Sequence, residues 1–336
     1  MDDDQASNMG LIGKIASGLI GAYLLLVIAL SWWWNTEPDQ FPVRQNAARL
    51  AELDNVSLVT GYVTTATIIE IGHTLLNKRG GYLYNDVLPP GVWMDNLPEW
   101  EFGVIMLIRD TARVFRNDFS RSQSQSVEDV DLSEAEGHFF FDANSWILPE
   151  TEDEYEKGLT FFTSYLTRLA DSRQTDAQFY ARADNLQQWL QTVETRLGSL
   201  SQRLSASVGK RQLNLDLAGD ASAAQATATP RVQMVKTPWL ELDNVFYQTR
   251  GYTWALLHMM RALEQDFGDV LDNKNARISL QQIIRELEPS QDMLWSPMVL
   301  NGDGLGMLAN HSLVMASYIA RANAAIIDLR ALLAQG

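Results

Sequence analysis

The sequence predicts an all-α protein in which a single N-terminal transmembrane helix precedes a multi-helix bundle built of helical hairpins. Three observations support this fold class. Residues Ile15 to Trp34 contain no charged side chain, apolar residues recur at helical spacing through most of the remaining chain, and runs typical of strands are nearly absent. We therefore expect one membrane anchor and a large helical domain.

The segment from Ile15 to Trp34 (IASGLIGAYLLLVIALSWWW) has the length of a membrane span. At about 1.5 Å per residue, such a helix covers roughly 30 Å, the thickness of the hydrocarbon core. Lys14 precedes it, and three tryptophans, Trp32 to Trp34, end it at the depth of an aromatic belt. The stretch exceeds the roughly 7–15 residues of a signal-peptide core and lacks a small-residue cleavage site, so we expect an uncleaved anchor.

The charges that flank the anchor do not decide its orientation. Lys14 lies near three aspartates on one side, and Arg44 and Arg49 lie on the other. A short tail before a single span more often stays in the cytoplasm. We therefore expect the large domain to be exported.

Composition excludes several classes of partner and chemistry. The chain has 26 Lys and Arg against 42 Asp and Glu, a formal net charge of −16. A field of this sign repels nucleic acid, so no nucleic-acid partner is expected. The chain has no cysteine, which excludes disulfides, thiolate metal sites and a cysteine nucleophile.

Composition and periodicity also divide the chain into parts. Pro38 and Pro42 predict an extended stalk after the anchor, and residues 205–236 lose helical periodicity, which predicts a mobile linker or insertion. The expected parts are a tail (1–14), the transmembrane anchor (15–34), the stalk (35–47), a first helical region (48–204), the linker or insertion (205–236) and a second helical region (237–336). Helices are expected at about 59–77, 98–115, 133–141, 152–170, 238–267, 276–288 and 305–333.

One further helix, 179–204, has an unusually regular apolar repeat. Its apolar residues alternate in spacing between four and three, which is typical of a coiled-coil seam. They are Phe179, Ala183, Leu186, Leu190, Val193, Leu197, Leu200 and Leu204. The helix is expected to belong to an antiparallel intramolecular bundle; the alternative is an interaction helix for a partner or self-association, using Leu186, Leu190, Val193 and Leu197. Trp189 beside the seam widens the apolar face, which favours the bundle.

Two stretches share an internal similarity. The sequence Leu-Asp-Asn-Val occurs at residues 53–56 and again at 242–245, and each copy precedes a long apolar run. An ancient duplication of a helical unit explains this repeat. A shared capping solution explains it as well, because Asp and Asn are favourable helix N-caps.

An aromatic loop, Gly80 to Gly103, is the expected functional surface. It contains Tyr82, Tyr84, Trp93 and Trp100 among prolines and acids. Exposed aromatic side chains in loops are typical of protein-binding hot spots. The alternative is that these rings close the end of the bundle and have a structural role.

A cationic stripe follows on the next predicted helix, which is expected to have Glu99 and Glu101 in its first turn. Arg109, Arg113 and Arg116 are spaced four and three residues apart and so share one helical face. They either pair with the surplus carboxylates or receive an anionic ligand.

No motif predicts a metal, a cofactor or a catalytic centre. Glu70 and His73 have the Glu-x-x-His spacing of di-iron bundles, but the required second copy is missing. The glycine-rich stretch 302–306 follows no strand and lacks the Lys-Ser/Thr of a phosphate-binding loop. The acidic cluster between Glu150 and Glu156 is expected to form the first turn of a helix, although a pair of catalytic carboxylates is an open alternative.

Several long segments resemble an uncharacterised family of proteobacterial membrane-anchored proteins. They are GGYLYNDVLPPGVWMDNLPEWEFG, RNDFSRSQSQS, KTPWLELDNVFY and NHSLVMASYIARANAAIIDLR, together with the N-terminal anchor. The resemblance covers nearly the whole chain. It implies a single-pass protein of a bacterial inner membrane and no particular chemistry, so no residue receives a role from it.

We therefore expect a cell-envelope binding or assembly factor with a helical, periplasmic domain; the alternative is an envelope hydrolase that uses paired carboxylates. The expected partners are the lipid bilayer, through Ile15 to Trp34, and an envelope protein. Self-association through residues 179–204 is an additional alternative.

Overall fold

Helices dominate the computed structural model, which describes residues 2–123, 125–173, 176–213, 232–296, 298–302 and 307–335. Eleven α-helices and one two-stranded sheet occur in these ranges, which confirms the all-α prediction. The helices are α1 (Asp2–Trp34), α2 (Val43–Leu53), α3 (Tyr62–Asn77), α4 (Asn96–Val114), α5 (Val130–Phe139), α6 (Thr151–Ala170), α7 (Ala183–Ser205), α8 (Leu242–Asp266), α9 (Gly268–Asn273), α10 (Arg277–Leu287) and α11 (His311–Ala334). A short π-helix, Phe115–Phe119, continues α4.

Helix starts differ from the predicted ones where a side chain caps the helix. α4 begins at Asn96, whose N–H donates to the Asp95 carboxylate at 2.9 Å. α11 begins at His311 because the Asn310 side chain accepts from the Leu313 N–H at 2.9 Å, although helix was expected from residue 305. An oxygen acceptor at the N-cap compensates one unpaired N–H of the first turn.

Two helices in the described residues have the length and composition of a membrane span, Gly13–Trp34 and His311–Ala334. α11 packs against α7 and α10 and buries eight of its side chains, so it is a core helix. Side chains of α1 are mostly exposed from residue 13 to residue 29. α1 is therefore the candidate membrane span.

The centre of the bundle is the contact between α4 and α8. The two helices run parallel, since the rings that follow their C-terminal ends, Phe119 and Phe267, pack together at 5.5 Å between centroids. Two glycines make the contact possible, because a Cβ at Gly103 would overlap the Gln248 carbonyl and one at Gly251 would overlap the Trp100 carbonyl. α3 runs antiparallel to α8, since the N–H and hydroxyl of Thr64 both donate to the carboxylate of Asp266, at 2.7 and 2.6 Å. α3 therefore begins where α8 ends.

α7 packs along α11 in the antiparallel direction, and this contact buries the heptad residues. Leu186, Leu190, Val193 and Leu197 are each at most 1% exposed. The Ser201 hydroxyl donates to the Ala316 carbonyl at 3.4 Å. The seam is thus filled inside the chain, which favours the intramolecular alternative over an interaction helix.

The heptad run also begins outside the helix. α7 starts at Ala183, so Phe179 lies in the preceding extended segment. Its ring packs against those of Phe115, Phe119 and Phe267 at the end of the bundle where α8 ends, which we call the far end.

The predicted linker or insertion, 205–236, contains a β-hairpin at its base. β1 (Lys210–Leu213) pairs antiparallel with β2 (Val232–Val235), with Lys210 opposite Val235. Residues 214–231, where mobility was predicted, lie outside the described residues, as do residues 303–306 of the glycine-rich stretch.

The two Leu-Asp-Asn-Val copies adopt different local structures. Residues 53–56 connect α2 to α3, and Asn55 has a positive φ of 52°. Residues 242–245 form the first turn of α8. The repeat therefore does not mark equivalent positions in two helical units.

The bundle has an anchor end, which we define as the end where α1 joins it. Trp34 packs on Gly80, since a Cβ at that glycine would lie 2.9 Å from the indole. Asn85, in the loop that follows Gly80, donates from its amide nitrogen to the Ser145 carbonyl at 2.8 Å. The aromatic loop and loop 142–150 therefore lie together at the anchor end.

The α4–α8 contact gives a first prediction. Gly103→Ala and Gly251→Ala should each lower the free energy of unfolding by about 1–3 kcal/mol, because the new methyl group overlaps backbone atoms that cannot rotate away. Thermal denaturation followed by circular dichroism measures this loss.

Gly137→Ala is the matched control. Gly137 is an exposed residue of α5 and a Cβ there meets nothing within 4 Å. The control should stabilise the helix by about 0.5–1 kcal/mol. Similar melting temperatures for all three variants would contradict the close α4–α8 packing.

Candidate functional site

The stalk, which in the structure comprises residues 35–42, lies against α8. It is extended only as far as Pro42, because α2 begins at Val43. The stalk is therefore shorter than the predicted range of residues 35–47. Glu37 forms an ion pair with Arg250 at 2.6 Å. The stalk therefore has a defined position on the bundle.

Arg250 joins three segments of the chain. Its side chain is 8% exposed, and besides Glu37 it donates to the carbonyls of Ser290 and Asp292 at 3.0 and 2.9 Å. A buried cation is stable only when such acceptors surround it. Arg250 thus holds the stalk and the turn after α10 on α8.

His258 makes the second attachment of the stalk. Its Nε2 accepts from the Phe41 N–H at 3.0 Å, and the Phe41 ring stacks on the imidazole at 4.0 Å between centroids. Since Nε2 accepts, the ring nitrogen Nδ1 carries the proton and donates to the Trp254 carbonyl at 2.7 Å. Burial lowers the pKa of His258 to about 4, so the imidazole is neutral at physiological pH.

A polar cavity of about 510 Å³ lies between the stalk and α3, and we call it the stalk cleft. Four of its α3 residues recur at spacings of three, four and seven, which places them on one helical face. The lining residues are Thr36, Glu37, Pro38, Asp39, Glu70, His73, Thr74, Asn77, Lys78 and Arg79. Glu70 and His73, noted in the sequence for their spacing, therefore face this cleft.

Ion pairs remove two of the charges that line the stalk cleft. Glu37 is paired with Arg250, and Lys78 with Glu101. Within the described ranges, Asp39, Glu70 and Arg79 have no ion pair. The cleft therefore offers two carboxylates and one guanidinium to a ligand.

Lys78, which lines the cleft, pairs with Glu101 beneath it. Both side chains are buried, and the Glu101 carboxylate also accepts from the N–H groups of Leu83 and Tyr84, at 2.9 and 2.8 Å. Burial raises the pKa of Glu101 to about 7, against the opposite effects of Lys78 and the two amides. This carboxylate holds the start of the aromatic loop on α4.

A second cavity, of about 400 Å³, lies on the opposite side of the stalk. Tyr247, Arg250 and Trp254 of α8 line it together with the stalk and with Met293 and Leu294. The stalk is thus flanked by a cavity on each side.

The aromatic loop divides into buried and exposed parts. Tyr82 and Trp100 are 3% and 0% exposed, so neither is available to a partner. Tyr84 is half-buried and stacks on Phe102 at 5.2 Å. Trp93, at 61% exposed, is the one residue of the predicted binding set in this loop whose ring faces outward.

Arg109 acts within the bundle. Its guanidinium donates to the carbonyls of Phe139 and Phe141, both at 2.7 Å, and to the Tyr155 hydroxyl at 3.0 Å. It thereby satisfies carbonyls at the end of α5. A free anion site at this residue is not formed.

The other two arginines of the stripe pair with carboxylates. Arg116 contacts Glu128 and Glu136 at 2.7 and 2.9 Å, and Arg113 contacts Glu136 at 3.4 Å. The Arg113 guanidinium also lies 4.7 Å from the Phe140 ring centroid. The structure therefore favours the ion-pair alternative for the stripe.

The acidic cluster occupies the start of α6. Glu152, Asp153 and Glu154 form its first turn, where carboxylates interact favourably with the helix dipole. Glu154 accepts from Lys157 at 2.6 Å and contacts His138 at 2.8 Å. Among the described residues, no group of three or more His, Asp or Glu side chains could hold a metal ion.

Sequence reasoning missed Arg250, His258 and the Lys78–Glu101 pair. A signal existed for Arg250 and His258, because each interrupts the largely apolar helix α8 and so needs a buried partner. Glu101 gave no comparable signal, since a glutamate near a helix start is ordinarily exposed.

A family model described as "uncharacterized protein conserved in bacteria" (DUF2333) matches residues 7–336. The chain belongs to this family. The match covers the anchor, the stalk and the bundle, in agreement with the resemblance noted in the sequence. No similar curated protein and no similar solved structure was found.

His258 gives a prediction about pH. Its pKa is about 4 in the folded protein against 6.5 for a free histidine side chain, so acid favours the unfolded chain, which binds the proton more readily. The contribution of neutral His258 to the free energy of unfolding is complete above pH 6.5 and is lost progressively as the pH falls from 6.5 to 4. The loss amounts to up to about 3 kcal/mol.

The measurement compares the wild type with His258→Gln, which does not titrate, in denaturant unfolding at several pH values. Between pH 6.5 and 4 the wild type should lose more stability than the variant. Parallel pH dependences for the two proteins would show that burial does not keep His258 neutral.

Proposed function

We propose that the protein is a membrane-anchored binding or assembly factor of the bacterial cell envelope, and that its partner binds at the stalk cleft. The supporting observation is the cleft itself, which places Asp39, Glu70 and Arg79 without ion pairs beside the segment that leaves α1. Side chains of both charges suit a polar partner group at the membrane–water boundary. An envelope protein is the proposed partner.

For the setting, we propose a single-pass protein of the inner membrane with a periplasmic bundle. The length and apolar character of α1 support the span, and the reporter fusions described below test the orientation. Self-association through residues 179–204 is not part of the proposal, because α11 covers the seam of α7.

The alternative function is an envelope hydrolase that uses paired carboxylates. One observation favours it, since Asp39 on the stalk and Glu70 on α3 line the same cleft. Two carboxylates that flank a cleft are the arrangement of acid–base hydrolysis. Substitution of either carboxylate distinguishes the hydrolase from the binding factor.

A photo-crosslinking experiment tests the binding proposal. A photoreactive residue at position 77, exposed at the cleft, should give a specific adduct in intact cells, and the same residue at the exposed position Thr160 of α6 should not. Arg79→Glu or Glu70→Lys should abolish the adduct, because charge reversal removes complementarity to the partner.

Equal adducts at positions 77 and 160, or an adduct that survives both charge reversals, would contradict the proposal. Glu70→Gln or Asp39→Asn that keeps the adduct and the fold but eliminates the cellular function would support the hydrolase instead.

Reporter fusions test the orientation. Alkaline phosphatase fused after Gly336 should be active, because that enzyme matures only after export. A fluorescent protein that folds only in the cytoplasm should stay dark at the same position. The reverse pattern would place the bundle in the cytoplasm and its partners with it.

A further inference from the structure

The exposed tryptophans of the chain form a distinct set. Six of the ten tryptophans expose more than half of their surface, whereas Trp100, Trp189 and Trp254 are in the core and Trp34 is half-buried. A tryptophan side chain is costly to leave in water. The six are Trp32, Trp33, Trp93, Trp146, Trp239 and Trp295, at 83, 52, 61, 53, 72 and 90% exposed.

All six lie at the anchor end. Trp32 and Trp33 end α1. Trp93 is in the aromatic loop, which begins at the glycine that Trp34 contacts, and Trp146 is in loop 142–150, which is hydrogen-bonded to the aromatic loop.

The other two lie at the start of α8 and beside the stalk. Trp239 lies just before the first turn of α8. The other end of α8 lies beside the first turn of α3, so α8 begins at the anchor end. Trp295 follows Met293 and Leu294, which line the cavity beside the stalk. At the far end, exposed apolar side chains such as Leu53 and Ile278 are aliphatic.

One face of α1 is covered near the end of the helix. Val27 is only 3% exposed, and Leu30, Ser31 and Trp34 are half-buried, at spacings of three, four and seven residues. One face of the last two turns of α1 is therefore covered. Val27 lies about 10 Å from Trp34 along the helix, so the covered face extends below the level of the terminal tryptophans.

We infer that the anchor end is a second membrane contact, at which Trp93, Trp146, Trp239 and Trp295 enter the interface of the bilayer that α1 spans. The occupant is a lipid surface, because this set continues the interfacial tryptophans of α1 and tryptophan prefers headgroup depth. The net charge of −16 opposes attraction to anionic lipids, so apolar insertion drives the contact. The bundle is thus seated on the membrane.

The absence of cysteine allows a direct test on the full chain reconstituted in phosphatidylcholine vesicles. Single cysteines at positions 93, 146, 239 and 295 receive an environment-sensitive fluorophore, and nitroxide lipids serve as quenchers. Position 33 is the reference for interfacial depth. Leu53 and Ile278, exposed by 71 and 79% at the far end, are the matched controls.

The four labels should be quenched to the same extent as the label at position 33, several-fold more than the labels at positions 53 and 278, and high salt should not change this. Quenching equal to that of the far-end controls, with position 33 still quenched, would overturn the inference and indicate a protein partner for this surface. Loss of quenching at position 33 too would overturn the span of α1, on which both this inference and the membrane anchoring in the proposed function rest.

Discussion

The buried guanidinium of Arg250 is the constraint on which the anchor end depends. Removal of one partner from a buried ion pair costs about 3–5 kcal/mol, because the remaining charge stays unpaired. Glu37, Ser290 and Asp292 supply the acceptors, so the stalk and the turn after α10 must remain on α8. Since Glu37 follows Trp34 by only three residues, this interaction also determines where α1 leaves the bundle.

The stalk cleft owes its electrostatic character to the pairs that surround it. Glu37 and Lys78 line it, but each is neutralised by a partner behind the wall, Arg250 and Glu101 respectively. The charges that remain belong to the rim, where water and a ligand have access. Internal pairing therefore both builds the walls of the cleft and selects which of its side chains can recognise a partner.

Periodicity predicted the helices well, because each amphipathic helix records which of its faces is apolar. It could not tell which helix covers that face, so the seam of α7 was compatible with either α11 or a partner. The aromatic loop shows the same limit: Trp93 and Trp100 are seven residues apart in one aromatic stretch, yet one is exposed and the other buried against Trp254. For Glu70, the sequence indicated a helical face but not the stalk opposite to it.

A docked stalk has a consequence for recognition that a flexible stalk would not have. A flexible tether lets a domain sample many heights above the membrane, whereas the attachments at Arg250 and His258 keep the cleft at one height beside the end of α1. In the proposed setting, that height is the membrane–water boundary. A partner must then present its polar group at the same level, which favours membrane-embedded or membrane-adjacent proteins over freely diffusing ones. The strongly acidic surface adds to this selection, because it repels anionic partners except where Arg79 offers a local cation.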